Sequence, residues 1–396
     1  MSNDVMPLAA RPSTPVIPHY DAVVVGLGGV GSAALYHLAR RGARVLGIDR
    51  YAPPHDRGSS HGHTRIIRQA YFEHPDYVPL TQTAYQLWHE LEQLCDRQLY
   101  YQVGLLEVGP PEGIVVPGVL QSAARHGLAV QQLTAAEVAQ QYPGFTVPPD
   151  AVAVYERDAG YLLVEDCIEA HLQQAAKLGA RIHRDTVVRQ WHADGPQISV
   201  QCSGETYTAD RLVIAAGAWA SELLADLGIR LRVLRKHLHW YACSDPRYHA
   251  DRGCPLFFYE TAAGYFYGFP QHDTRGVKVA EHSGGETVTD PVRVSRDVDA
   301  MDRRRVEEFL QAHLTGVSTQ PTDHTVCLYT MSPDEHFIVD RHTRHAHVVF
   351  AAGLSGHGFK FTPVLGQALA ELVLDGTTAV PIQFLTAQRA GLTGGS

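Results

Sequence analysis

The stretch Asp21-Ala22-Val23-Val24-Val25-Gly26-Leu27-Gly28-Gly29-Val30-Gly31 decides the fold. The valine run suits a strand buried on both faces. The glycines that follow make a turn into a helix through Ala34, Leu35, Leu38 and Ala39, which ends at Gly42. A second strand, Arg44 to Ile48, delivers Asp49 about twenty residues beyond Gly28. The glycines differ in what they do. Gly26 makes the tight turn, Gly28 lets the backbone approach a pyrophosphate, and Gly31 lets helix and strand pack closely. Asp49 is placed to accept hydrogen bonds from a ribose, and an acid at that position disfavours NADP. The unit therefore predicts a dinucleotide site on an α/β scaffold.

A second glycine-rich turn lies near the C-terminus. A strand from His347 to Ala351 runs into Gly353-Leu354-Ser355-Gly356-His357-Gly358-Phe359-Lys360-Phe361. A helix is expected next, capped by Thr362, with Pro363 in its first position and Gly376 as its stop. Its free N–H groups, with Lys360 beside them, predict that something anionic docks there.

Composition bounds the rest. At 396 residues, 45% apolar and 19% charged, the chain reads as two interleaved domains with ample core. A net charge of −9 argues against nucleic acid as a partner, because phosphate binding needs clustered cations. Six cysteines without a C-x-x-C pair point to reduced thiols in the cytoplasm and away from the simple cysteine-based zinc patterns; no metal is expected. No apolar run is long enough to span a membrane. Residues 1–19 hold four prolines and read as a disordered tail.

Between the two glycine turns the patterns change character. Leu80, Ala84, Leu87, Trp88, Leu91 and Leu94 trace one face of a helix and read as core. A further helix is expected near Glu165 to Leu178, and a buried strand at Arg211 to Ile214 leads to Gly217. From Leu231 to Val279, aromatic and polar residues alternate, as in an antiparallel sheet with one covered face.

Four constellations can carry chemistry. In Gly58-Ser59-Ser60-His61-Gly62-His63-Thr64-Arg65-Ile66-Ile67-Arg68, the two arginines would share a face if helical, and each fork suits a carboxylate or a flavin carbonyl. Ser59 and His61 belong to the same stretch beside the nucleotide turn. In a strand through Val277 to Glu281, Lys278 and His282 would face the same way, and a covered lysine needs an anionic or reactive partner. Tyr265 and Tyr267 share a face, and one of them could border a pocket. Cys327, alone in a β-run with Tyr329 on its side, is by itself most often a buried hydrophobe.

Taken in order, the blocks GLGGVG, PPH-x-x-GSSHG-x-TRIIR-x-AY, YGFP, VK-x-x-x-H, C-x-YT-x-x-x-DEHFI-x-D and AAG-x-SGHGFKF resemble the monomeric sarcosine oxidase family of FAD amine oxidases, which includes N-methyltryptophan and pipecolate oxidases. The resemblance runs from about Tyr20 to beyond Phe384. It implies α/β plus α+β architecture: a Rossmann-like FAD-binding domain (20–95, 160–228 and 333–390) interleaved with a substrate domain (96–159 and 229–332) built on a mixed, largely antiparallel sheet. It implies that Gly26, Gly28, Gly31 and Asp49 hold the ADP half of FAD, with Ser59, His61, Gly217, Gly356 and Gly358 also at the cofactor. Cys327 matches the cysteine bonded through sulfur to the flavin 8α-methyl. Arg68 and Lys360 match the clamp on the substrate carboxylate, Arg65 an arginine near the ring system, and Lys278 the lysine of oxygen activation. His282, Tyr267 and Tyr329 match residues lining the substrate site. One departure is His63, where sarcosine oxidases carry aspartate, which alters the charge around Arg65.

The activity so implied is oxidation of a small secondary amino acid, N-methyl or cyclic, to an imine that hydrolyses, with O2 reduced to H2O2 by a monomeric enzyme. The alternatives are a flavin dehydrogenase with another electron acceptor, and a noncatalytic or RNA-modifying flavoprotein. The acidic charge and the carboxylate clamp speak against the last.

Overall fold

The computed structural model describes residues 18–393. Most of the expected N-terminal tail therefore lies outside the described residues; His19 and Tyr20 pair in parallel with Thr208 and Ala209. Ala22–Val25 lies near the middle of a six-stranded sheet, in the order Arg181–His183, Val45–Ile48, Ala22–Val25, Leu212–Ile214, Val348–Ala352, Ile338–Arg341. All neighbours are parallel except the last pair. The valine run is buried along its whole length because both faces of this sheet are covered. Helices Gly29–Arg40, Val78–Cys95, Val164–Lys177 and Thr362–Asp375 pack on one face. A four-stranded sheet containing Val188–Asp194 and Gln197–Cys202 covers the other.

The glycine turn takes the form its sequence predicts. Gly26 adopts φ +87°, and a side chain at Gly31 would put Cβ 1.7 Å from the Gly26 carbonyl oxygen. That contact is what lets Gly29–Arg40 start directly over the sheet.

The second sheet is larger and mixed. Its order is Glu286–Val288, Arg232–Tyr241, Val277–Glu281, Gly264–Phe269, Leu256–Thr261, Leu105–Gly109, Val152–Glu156, Gln131–Leu133, with Pro321–Met331 also paired to Arg232–Tyr241. Every pairing is antiparallel except Leu256–Thr261 with Leu105–Gly109. The expectation of one covered face is corrected here. Helix Ala300–His313 packs Val306, Phe309 and Leu310 on the back, while the front carries Leu238, Trp240, Tyr267, Cys327 and Tyr329 in a second cluster. Several polar residues in these strands are therefore buried rather than solvated, among them Lys236, His237, His239 and Lys278.

Two local expectations also change. Arg65 lies on a short strand, Thr64–Ile67, paired antiparallel with Gly160–Leu163, and not on a helix; three β-branched residues in four favour the extended form. Thr362 does not cap its helix. A 3-10 turn, Phe359–Phe361, makes the chain helical before Thr362 is reached, so Phe361 is the N-cap and makes no side-chain cap bond. Gly376 ends that helix at φ +77°, as expected.

Candidate active site

A deep cleft runs from the Gly26 turn to the front of the larger sheet. It encloses about 1820 Å³, counting the part open to solvent, and its two ends are lined differently.

One end is made of backbone. Gly26, Gly28, Gly29, Asp49, Ser59, Ser60 and Gly217 line it. A Cβ on Gly28 would meet nothing nearer than the Ser60 hydroxyl at 3.7 Å, so this position faces open space. The first turn of Gly29–Arg40 points the same way; only the Gly29 N–H is taken up locally, by Ser60 Oγ at 3.3 Å. Asp49, 6% exposed, accepts from the backbone N–H groups of Leu27 at 2.6 Å and Tyr51 at 2.9 Å, with His55 Nε2 at 3.3 Å. Those bonds fix the carboxylate at the strand end, where ribose hydroxyls are recognised in such turns.

The other end is made of side chains. Arg65, Arg68, Glu73, Phe258, Tyr267, His282, Tyr329, Gly356, His357, Gly358 and Lys360 line it. Tyr267 and Phe258 face each other across strands, and the His282 ring stands beside both and beside Tyr329, whose hydroxyl is 3.4 Å from His282 Nδ1. Arg65 donates to the carbonyls of Thr64 and Ser59 at 2.8 and 3.0 Å, which anchors its guanidinium against the cleft wall. Arg68 is buried; its Nη2 donates to both oxygens of Glu73, at 2.7 and 2.9 Å, its Nη1 donates to the Ala70 carbonyl at 2.9 Å, and its Cζ lies 4.3 Å from the ring centres of Tyr71 and Phe72. Lys360 Nζ donates to the His357 carbonyl at 2.8 Å and the Tyr71 hydroxyl at 3.3 Å.

Charge is concentrated at this end. Burial raises the pKa of Glu73, but Arg68, His357 and Lys360 outweigh it and hold the carboxyl at about 2. Burial and the Arg68 charge push Lys360 down to about 7. Burial, with Lys236 nearby, pushes His282 down to about 3, so its ring is neutral. Behind Arg68 sits Glu107, fully buried, 3.7 Å from Arg68 Nε and with neither oxygen hydrogen-bonded. Burial pushes it up to about 8 against the pull of Arg68.

Residues 21–372 match the protein-family model described as FAD dependent oxidoreductase. The chain belongs to that family. It is 39% identical over 380 residues to the monomeric sarcosine oxidase of Streptomyces avermitilis, covering 94% of this chain and 98% of that one. It is 35% identical to the N-methyl-L-tryptophan oxidase of Citrobacter koseri, covering 89% and 94%. Among solved structures, NikD, an unusual amino acid oxidase essential for nikkomycin biosynthesis, superposes with a TM-score of 0.84 at 26% identity, covering 96% of this chain and 100% of that one. The doubly covered parallel sheet joined to a mixed sheet agrees with the architecture the sequence predicts.

The cleft of this FAD-dependent oxidoreductase fits the cofactor on its own chemistry. An open Gly28, a helix start and an anchored Asp49 suit an ADP moiety. Further in, Thr362 lines the cleft with its buried hydroxyl unpartnered, a polar group that a bound ring system can satisfy.

Of the residues singled out from sequence, Gly26, Gly28, Asp49, Ser59, Arg65, Arg68, Gly217, Tyr267, His282, Tyr329, Gly356, Gly358 and Lys360 meet at this one cleft. Gly31 packs on Gly26 instead of lining it. Three others stand behind the wall. His61 is buried with Nε2 unpartnered. Cys327 is fully buried, while its neighbour Leu328 faces the cleft. Lys278 donates to Gly62 O, Thr64 O and Thr64 Oγ1 at 2.7–3.0 Å, over the Phe269 ring at 4.6 Å. Burial and Arg65 press its pKa far below the usual lysine value. Tyr265 packs on Phe258 and does not line the cleft.

Glu73, Glu107, Phe258 and His357 were missed. Phe258 was findable as the cross-strand partner of Tyr267. Glu73 and Glu107 carry no local signal, since one lies in an irregular segment and the other in a strand from a distant part of the chain.

Proposed function

We propose that the protein oxidises a small secondary amino acid, N-methyl or cyclic, with O2 as the terminal acceptor and H2O2 as the product. The observation that carries this reading is a pair of buried basic side chains, Arg68 and Lys360, at one end of a cleft whose other end suits a dinucleotide. Bound FAD would supply the two-electron acceptor.

The chain's own residues do the remaining work. The substrate carboxylate takes the place of Glu73 on Arg68 and bonds to Lys360, raising the affinity of Lys360 for its proton. Arg65, Arg68 and Lys360 face one carboxylate, Glu73, so the local field favours the neutral amine over the ammonium. The neutral His282 ring and the Tyr329 hydroxyl offer polar partners for that amine. Tyr267, Phe258 and Tyr329 wall the site and limit the bulk carried on nitrogen. The amine loses two electrons and two protons to become an imine, which water hydrolyses. Dioxygen takes up the two electrons and two protons as H2O2. Holding carbon and acceptor in one orientation can contribute roughly 7–11 kcal/mol to such a step.

Cys327 is proposed to bond the flavin 8α-methyl through Sγ. Its strand borders the cleft through Leu328, whose N–H donates to Gly58 O at 3.2 Å. Lys278 is proposed to act on oxygen from behind Arg65. A monomer in the cytoplasm completes the reading; among the described residues no helix is long and apolar enough to cross a membrane.

The test is peroxide release by purified protein across sarcosine, bulkier N-methyl amino acids, pipecolate and L-proline. Release with at least one of them is expected. Flavin bleaching without peroxide in air would turn the reading into a dehydrogenase. Acid precipitation checks the thioether: yellow colour belongs in the pellet of the native protein and in the supernatant for Cys327→Ser.

A further inference from the structure

On the back of the larger sheet, away from the cleft, three histidines converge. His237 and His239 share one face of Arg232–Tyr241, and His324, on the antiparallel neighbour Pro321–Met331, stands directly opposite His239. One nitrogen from each ring lies within 4.8 Å of one from both others, and His237 Nδ1 is 2.8 Å from His324 Nε2. None of the three lines the cleft. We propose that His237, His239 and His324 bind one divalent cation of the zinc class, with water in the fourth position.

Four observations support the assignment. His239, fully buried, places Nε2 2.9 Å from Asp302 Oδ1 and leaves Nδ1 buried without a partner. A carboxylate that takes the far N–H of an imidazole and leaves the near nitrogen free is the arrangement that orients metal-binding histidines. Next, the rings are available as ligands. His237 Nδ1 and His324 Nε2 already share a hydrogen bond at 2.8 Å, so one of these two facing nitrogens presents a lone pair. Third, the surrounding charge tolerates a cation. Asp299 and Asp302 face the cluster, while the nearby Arg235 is engaged by Glu286 and Asp297, and Arg305 by Glu281. Finally, His324 is the partly exposed member, which gives the ion a route in and leaves room for water.

The ligand set defines the class of ion. Three imidazoles without thiolate suit Zn2+, and also Co2+, Ni2+ or Cu2+, but not Mg2+ or Ca2+. Ligands at about 2.0–2.1 Å in tetrahedral geometry stand roughly 3.4 Å apart. The His237 ring is stacked on the other two, which are tilted to each other, with centres 5.0–6.0 Å apart, so binding requires the rings to turn until their lone pairs meet. The ion would then join the sheet's two longest strands and, through Asp302, helix Ala300–His313. His237 and His239 are two apart in the sequence, whereas the third member is brought in only by strand register.

The test uses the full-length flavoprotein without an affinity tag, stripped with EDTA and desalted. Zn2+ is titrated against a chromogenic chelator, and Co2+ is followed by its visible absorption. One equivalent of Zn2+ per chain is expected, with the intense visible bands of tetrahedral Co2+ and a rise in Tm on adding Zn2+. His324→Asn, at the exposed edge, should weaken Zn2+ binding by at least about tenfold and abolish the Tm rise, while turnover with the amino-acid substrate stays at the native level. Asp302→Asn should weaken binding by about 10–100-fold. Absence of saturable binding in the native protein, or equal affinity and equal Tm response in His324→Asn, would overturn the proposal. In that case the histidines serve only as a hydrogen-bonded network between strand and helix.

Discussion

The two ends of the cleft are built from different materials. At the nucleotide end, contacts are offered by backbone: glycines, a helix start and one carboxylate clamped by two N–H groups. At the substrate end, they are offered by buried charged side chains that hold one another in place, Arg68 with Glu73 and Glu107, and Lys360 with Tyr71. A backbone site tolerates no added volume, whereas a side-chain site depends on charge balance. Perturbation should therefore act at the first end as steric loss and at the second as altered affinity and pH dependence.

The largest effect is expected at the turn. In Gly31→Val the Cβ alone would overlap the Gly26 carbonyl oxygen, which nothing in the turn can relieve without lifting the helix from the sheet. The variant should elute without flavin or fail to accumulate as folded protein, as read by flavin absorbance per chain after gel filtration. A flavin-replete variant would break the contrast at its stronger end.

Next comes the substrate clamp. Arg68→Lys keeps a charge but loses the fork, and should cut kcat/KM for a carboxylate substrate roughly 100-fold, about 2.7 kcal/mol. Glu73→Gln should act in the opposite direction. It removes the internal carboxylate that occupies Arg68, so KM should fall severalfold while kcat changes little. Steady-state kinetics on the pair decide the matter: an unchanged KM in Glu73→Gln would mean that the substrate does not compete with Glu73.

This contrast also explains what was legible in the sequence. The nucleotide end is encoded in one continuous run from Asp21 to Asp49, where spacing alone sets the geometry. Arg68, Tyr267, His282, Tyr329 and Lys360 come from five separate segments, and only resemblance to a family groups them without knowledge of the sheets. What stayed hidden is what depends on registry between remote strands. Glu107 reaches Arg68 because Leu105–Gly109 pairs in parallel with Leu256–Thr261. The sheet's second cover was hidden for a similar reason: the strand periodicity does not announce that Ala300–His313 will lie on its back.

Glu107 provides a smaller, pH-dependent test. Its folded pKa, about 8, lies above the ordinary carboxyl value, so between roughly pH 4.3 and 8 the native chain holds a proton that the unfolded chain releases. Stability from this group is full below that window and declines as pH rises through it, by at most about 1.4 kcal/mol per pH unit. Lys360 has the opposite sign. With its folded value near 7, the unfolded chain binds the extra proton only between about 7 and 10.4, so the two effects separate below pH 7. Urea midpoints compared at pH 5 and pH 7 should fall less in Glu107→Gln than in the native protein. Identical slopes would show that Glu107 is ionised and paired with Arg68 throughout.

The smallest expected effect lies where the two ends meet. Thr362 presents a buried hydroxyl with no protein partner to the middle of the cleft. Thr362→Val conserves shape and removes that hydroxyl, so without flavin the variant should be slightly more stable, by up to about 1 kcal/mol, since an unmet buried polar group is costly. With flavin bound the sign should reverse, because the hydroxyl then has a partner to lose. The measurement needs exchangeable flavin, so it is made in a Cys327→Ser background, comparing Tm with and without FAD and the Kd for FAD. A rise in Tm in both states would mean that the cofactor leaves Thr362 unsatisfied. The join between the backbone-built and side-chain-built ends would then be apolar in function as well as in packing.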